Sequence, residues 1–295
     1  MLYHHEPVPS PPSRVVVLGA TGFVGKDLVR HLTESDIEAV PLASQEVDLS
    51  RPESAEKLLH AVRETDAIVI ISALTPDKGK DIRTLMRNLM MGEHVSAFLE
   101  RSKWSHVVYI SSDAVYADDA NPVRETSCCD PVSFHGLMHL VRERMLASAA
   151  RKSGSPLLIL RPSVLYGTND THNSYGPNRF LRTAQKEHKI TLFGNGEEKR
   201  DHVYINDVSR LTGLCLSHRS EGILNIATGK SISFYNVAEM ISELCDSGVR
   251  IECLSRATPI THRHFDTAET LKAFPSFSYT PLRDGLSATL RSIAS

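Results

Sequence analysis

Nothing in these 295 residues approaches a membrane span. The longest largely apolar run, 67–74, falls far short of the roughly 20 residues that cross a bilayer, and the start of the sequence lacks the charged-then-apolar order of a signal peptide. A cytoplasmic protein with no membrane partner is the expectation. Charge of one sign is missing as well. The 33 Lys and Arg stand against 35 Asp and Glu, a formal net charge of −2, so no global field steers the chain to nucleic acid and any anion site must be local. Cysteine is scarce. The five present, Cys128, Cys129, Cys215, Cys245 and Cys253, are odd in number and never in CxxC spacing, which argues against a disulfide framework and a zinc knuckle. Cys215 reads as helix core and the adjacent pair 128–129 as a loop.

What is present is enough apolar residue, 41%, to fill one large core or two interleaved ones. Residues 1–13 are proline-rich without apolar periodicity and read as a mobile tail, so His4 and His5 carry no weight as ligands. From Arg14 onward short β-branched runs alternate with helical stretches. Strands are expected at 15–18, 39–42, 67–71, 107–111 and 157–160, with helices from Phe23, after Arg51, through 85–99 and through 137–146. That rhythm specifies an α/β fold, a Rossmann-type doubly wound parallel sheet with helices on both faces. Beyond Gly167 the order changes to a polar loop, a helix near 180–185, a strand at 190–193 and shorter elements up to a final helix after Pro281. The expected division is a dinucleotide-binding domain over 14–168, to which 203–228 returns, and a smaller interleaved C-terminal cap from 169–202 and 229–295.

The stretch Val15-Val16-Val17-Leu18-Gly19-Ala20-Thr21-Gly22-Phe23-Val24-Gly25 sets three glycines between a buried strand and a helix. In that context Gly19 allows a tight turn, Gly22 lets backbone approach a pyrophosphate, and Gly25 permits close packing of helix on sheet. The helix start adds N–H donors and a positive dipole end. A nicotinamide dinucleotide, NAD or NADP, is the expected cofactor. The acid that binds the adenosine ribose belongs about 20 residues further on. Leu42-Ala43-Ser44 stand there instead, without an arginine to favour a 2′-phosphate, and Asp48-Leu49 follow where an acid could meet the adenine amino group or simply be solvated. The choice between the two dinucleotides stays open.

Together with Ser72-Ala73-Leu74, Asn88, Ile110-Ser111-Ser112-Asp113-Ala114-Val115-Tyr116, the run from Leu160 through Pro162 and Val164 to Gly167, Leu192-Phe193-Gly194-Asn195-Gly196 and the run from Arg200 to Val208, this motif resembles the extended short-chain dehydrogenase/reductases, the nucleotide-sugar epimerases, dehydratases and reductases. The resemblance covers nearly everything from Arg14 onward. It implies cofactor contacts from Gly19, Thr21, Gly22, Phe23, Val24, Gly25, Ser44, Asp48, Leu49, Ser72, Ala73, Leu74, Asn88, Ser111, Pro162 and Val164. It implies further that Ser112 hydrogen-bonds the reacting sugar oxygen, and that Leu192 and Phe193 pass the nucleobase. Arg200, with Arg256 or Arg263, would grip a substrate diphosphate, for which a planar guanidinium is suited. Asp113 matches the acid of the sugar 4,6-dehydratases, but the glutamate that should follow is Ala114, which disfavours a dehydratase. The two long sheet-domain helices would pair in a homodimer.

The departure lies where the family places a tyrosine and, four residues on, a lysine. This chain has His135 and His139 there, and three readings compete. In the first, His135 shuttles the proton and His139 holds the nicotinamide ribose, because residues four apart share a helix face and a histidine with a free pKa of about 6.5 works as an acid or base near neutrality. An active epimerase or reductase follows, with Asp113 or Tyr116 next in line for the proton. In the second, the site is inactive and the protein binds a nucleotide sugar or cofactor without turning it over. In the third the pair binds a metal, but Gly136 occupies the place of a catalytic glutamate and no third ligand is evident, so no metal is expected.

Overall fold

The computed structural model describes residues 2–245, 248–257 and 259–294. In chain order the elements are β1 (Tyr3–His4), β2 (Arg14–Leu18), α1 (Phe23–Glu34), β3 (Glu38–Leu42), α2 (Ser54–Ala61), β4 (Ala67–Ile70), α3 (Ile82–Leu99), β5 (His106–Ile110), α4 (Phe134–Ser153), β6 (Leu157–Pro162) and β7 (Val164–Tyr166). Then come α5 (Pro177–Glu187), β8 (Lys189–Phe193), β9 (Lys199–Tyr204), α6 (Ile205–Ser217), β10 (Ser220–Ile226), β11 (Ser231–Ser233), α7 (Phe234–Leu244), β12 (Arg250–Leu254), α8 (Ala268–Ala273) and α9 (Leu282–Ala294).

The main sheet runs β1-β10-β6-β5-β4-β2-β3, parallel throughout except for β1. Its strands alternate faces with period two. Val15, Val17, Val69, Val108 and Leu160 pack with Leu28 of α1 and Leu211 of α6, while Val16, Leu18, Ile68, Tyr109 and Ile159 pack with Val95 of α3 and Leu146 of α4. Both faces are therefore covered, as an all-parallel sheet requires. Strand β2 is flanked by β3 and β4, so the strand order reverses around it and opens a crevice at the carboxyl ends of β2 and β4.

Two boundaries differ from expectation. The described part of the expected tail, residues 2–13, is not loose: Tyr3 and His4 pair with Glu221 and Ser220 as an antiparallel edge strand, and His4 Nδ1 lies 2.8 Å from Ser220 Oγ. Proline-rich composition hid this because a two-residue edge pairing and isolated backbone bonds from His5, Glu6 and Ser10 leave no periodic pattern. Nor is 229–295 all cap. The cap core gathers Phe180, Leu192, Phe234, Val237 and Leu286, but α8 returns to lie on β10 and Phe274 joins the sheet core.

Several buried histidines tie stability to pH. Burial holds His106 at about 4, against the hydrogen bond to the Ser220 carbonyl oxygen, and His202 at about 3. Below about 6.5 the unfolded chain binds protons that the native rings refuse, so the unfolding free energy should drop as pH falls from about 6.5 to about 4, by up to about 1.4 kcal/mol per unit for each ring. Urea midpoints that stay level across that window would count against these rings being buried and neutral.

Candidate functional site

A cavity of about 880 Å3 lies over the carboxyl ends of β2, β4 and β5 and extends under the cap. At one end is the glycine turn. Gly19 has φ +94°, a left-handed conformation, and a Cβ on it would meet the Ser72 backbone at 2.7 Å, so β2 and β4 close together only around a glycine. Gly22 caps α1 without any side-chain hydrogen bond, which leaves the first-turn amides facing the cavity. Gly19, Thr21, Gly22, Phe23 and Val24 line this end, whereas Gly25 packs beneath it. This uncapped helix start beside a turn too close for side chains fits a dinucleotide pyrophosphate.

Ser44, Asp48 and Leu49 line the same cavity. Asp48 takes hydrogen bonds from Ser50 N and Oγ, which hold its carboxyl below the usual range. Ser72, Ala73 and Leu74 form the wall at the end of β4, and Asn88 clamps that wall from behind by bonding both the N–H and the carbonyl of Leu74. Pro162 and Val164 line the far side. Ser111 reaches the cavity too, but its hydroxyl donates to Glu143, which forms a two-pronged buried ion pair with Arg161.

The reacting end is built by α4 and the short 3-10 turn Asp113–Val115. Ser133 caps α4 by accepting from Gly136 N, and Gly136 lets the helix press on that turn, since a Cβ there would lie 2.0 Å from the Ala114 carbonyl oxygen. This contact brings His135 and His139 into one cavity wall with Ser112 and Asp113. The two rings meet edge to face, centroids 4.7 Å apart. Burial, then the charge of His172, lowers His135 below its ordinary value, and Nδ1 of His135 is buried with no hydrogen-bond partner among the described residues. His139 is pushed well below 6.5 by burial, then by His135 and Arg142, and its Nδ1 lies 2.7 Å from Tyr109 Oη. Burial raises Asp113, with Arg263 opposing. Tyr116 is not in the cavity: its hydroxyl donates to Asn225 Oδ1 and accepts from Arg161. Among the described residues no group of three His, Cys, Asp or Glu converges as a metal ligand set.

The residues linked to a substrate nucleotide lie outside this cavity. Leu192 is in the cap core, and Phe193 packs against Tyr175 of the cavity lining, ring centroids 5.1 Å apart. Arg200 and Arg256 share the carboxylate of Glu198 between them. Arg263 instead binds the Asp113 and Ala117 carbonyls and Asp118. The sequence did not point to the loops that overhang the cavity. There Asp77 accepts from Thr75 and His172, and although burial pulls its pKa upward, these hydrogen bonds win and hold it at about 2. No local pattern marks that latch, because its halves are 95 residues apart.

Among relatives in sequence, GDP-L-fucose synthase of Sinorhizobium fredii is 25% identical over 248 residues, 77% of this chain and 78% of that one. The putative UDP-glucose 4-epimerase of Methanocaldococcus jannaschii is 25% identical over 254 residues, 77% of this chain and 81% of that one. Among solved structures, a GDP-L-fucose synthetase from Naegleria fowleri bound to NADP superposes with TM-score 0.86 at 16% identity, over 100% of this chain and 98% of that one. The UDP-glucose 4-epimerase of Thermus thermophilus in complex with NAD gives 0.83 at 20% identity, over 96% and 99%. At these identities the structures speak for the fold. The sequence pattern of the NAD-dependent epimerase/dehydratase family matches residues 15–227, and the chain belongs to that family.

Proposed function

We propose that this protein is an NAD(P)-dependent epimerase or reductase of a nucleotide-activated sugar, with His135 carrying the proton. One observation carries the reading: a buried, unpartnered imidazole nitrogen stands in the wall of a cavity that begins at an uncapped helix start. A sugar hydroxyl would satisfy that nitrogen. When bound, the nicotinamide accepts or donates the hydride. Neutral His135 takes the hydroxyl proton as the sugar carbon is oxidised and returns it on reduction. Ser112, which lines the same cavity, is the candidate to hold the same oxygen. His139, buried and neutral, offers an N–H to the nicotinamide ribose rather than a charge. β3 ends without a carboxylate or an arginine, so this strand end selects neither NAD nor NADP. The exposed Met86 and Met90 on α3 support a homodimer through α3 and α4.

Native mass spectrometry of the purified protein tests the cofactor, since a retained nicotinamide and its phosphate count identify it. Nicotinamide absorbance during incubation with nucleotide sugars then separates the activities. A reductase changes it, an epimerase converts sugar without net change, and a protein that retains cofactor but converts nothing would overturn the enzymatic reading.

Arg200 is proposed to leave Glu198 for the substrate diphosphate. A nucleoside diphosphate at about 100 times its dissociation constant should stabilise the wild type by roughly 2.7 kcal/mol, visible as a melting shift. Arg200→Ala should lose most of that shift. If no purine or pyrimidine diphosphate moves the wild type, the nucleotide-sugar assignment fails.

A further inference from the structure

One turn beyond His139, Arg142 is fully buried. Its Nη1 donates to the Ser72 carbonyl oxygen at 2.8 Å, while Nε and Nη2 have no partner among the described residues. No described carboxylate forms an ion pair with it, and Glu143 next in sequence is held by Arg161. A buried charge left in this state costs several kcal/mol unless something compensates it. The surroundings nevertheless make room for it: α3 has Gly92 where a Cβ would stand 2.9 Å from Arg142 Cγ. Ser72, the one hydrogen-bonded carbonyl, belongs to the cavity wall, and its N–H bonds Leu18 at the start of the glycine turn. The guanidinium therefore sits directly behind the wall of the cavity. It also lies over the ring of Tyr109, 5.3 Å from the centroid, and the Tyr109 hydroxyl reaches His139 Nδ1.

The direction of that last bond follows from its surroundings. Burial raises Tyr109 to about 12, so the phenol keeps its proton, and His139 Nδ1 is the acceptor within its reach among the described residues. A buried O–H must donate. Tyr109 therefore donates to Nδ1, and neutral His139 carries its hydrogen on Nε2.

We propose that Arg142 and Tyr109 are positioning residues for the dinucleotide: Arg142 supplies, from behind the wall, a fixed positive charge whose counter-ion is the ligand's pyrophosphate, and Tyr109 locks His139 as the Nε2–H donor. This rests on the dinucleotide reading of the cavity. It accounts for a chain with no lysine at 139 that keeps a cation one turn away, in a place where stability alone disfavours it. Of the cations that line the cavity itself, Lys78 is paired with Asp77 and Arg87 stands near Asp48.

The test uses the purified full chain. Arg142→Met should fold with an unchanged or higher Tm, because a methionine replaces an uncompensated charge. Its dissociation constants for NAD and NADP should rise at least tenfold, while that for adenosine, which has no pyrophosphate, stays at the wild-type value. Arg142→Lys should recover part of the dinucleotide affinity. In nitrogen-15 NMR spectra the His139 ring, assigned by its loss in His139→Gln, should be the Nε2–H tautomer in the wild type and a mixture in Tyr109→Phe. A lower Tm with unchanged dinucleotide affinity in Arg142→Met makes the arginine a packing residue and overturns its half of the proposal. An unchanged His139 signal in Tyr109→Phe overturns the other half. Failure of the wild type to bind any dinucleotide sinks the cavity reading and the Arg142 half with it, whereas the NMR comparison still decides for Tyr109.

Discussion

Replacing His135 with Phe should lower turnover by on the order of 100- to 10,000-fold, the usual worth of a positioned acid or base, and leave dinucleotide affinity almost unchanged. Phe fills similar space and keeps the contact with His139, so a lost proton carrier is the main change. In the wild type the step that needs a base requires neutral imidazole. Burial, reinforced by His172, lowers the His135 pKa, and the cationic oxidised nicotinamide pushes in the same direction when bound. The rate should therefore rise through a single ionisation below about pH 6.5 and stay level above it. His139→Ala should behave in the opposite sense, weakening cofactor binding first. Full turnover in His135→Phe would send the search to Asp113, because the Tyr116 hydroxyl is already tied between Asn225 and Arg161.

The second large effect separates two glycines three residues apart. Gly22→Val should abolish detectable dinucleotide binding while circular dichroism and Tm stay near wild type. Its φ is −75°, open to any residue, and the nearest atom to an added Cβ is the Gly19 carbonyl oxygen at 3.4 Å, so the side chain grows into ligand space. Gly25→Val should instead damage the fold. A Cβ there would lie 2.2 Å from the same oxygen and 2.8 Å from Ala20 Cα, an overlap relieved only by moving α1 off the turn, at a cost of about 1–3 kcal/mol or more. If Gly22→Val binds dinucleotide normally, the pyrophosphate does not lie on this turn.

The sheet was legible in the sequence because its inner strands are buried on both faces and read as unbroken apolar runs, such as Val15-Val16-Val17-Leu18 and Ala67-Ile68-Val69-Ile70. The glycine turn was legible because it sits between such a strand and a helix. Helix α4 could be placed by its motif but not interpreted by periodicity, since it buries His139, Arg142 and Glu143 along with Met138 and Leu146. What stayed hidden depends on partners distant in sequence. Glu198 is visible two residues before Arg200, but its meeting with Arg256 is not. The same holds for Tyr109 with His139 and for Asp77 with His172. The N-terminal strand escaped notice because two residues of edge pairing leave no pattern in a proline-rich segment.

That strand also bears on the order of assembly. Strands β2 to β6 meet partners close in sequence through successive crossovers, so most of the sheet can close on itself as synthesis proceeds. Tyr3 must wait for Glu221. Segments so far apart pair late, because a long loop has to be closed before their contacts repay it. The segment made early on the ribosome is thus among the last to dock, and until it does, the outer edge of β10 keeps unpaired N–H and C=O groups open to strands of other chains.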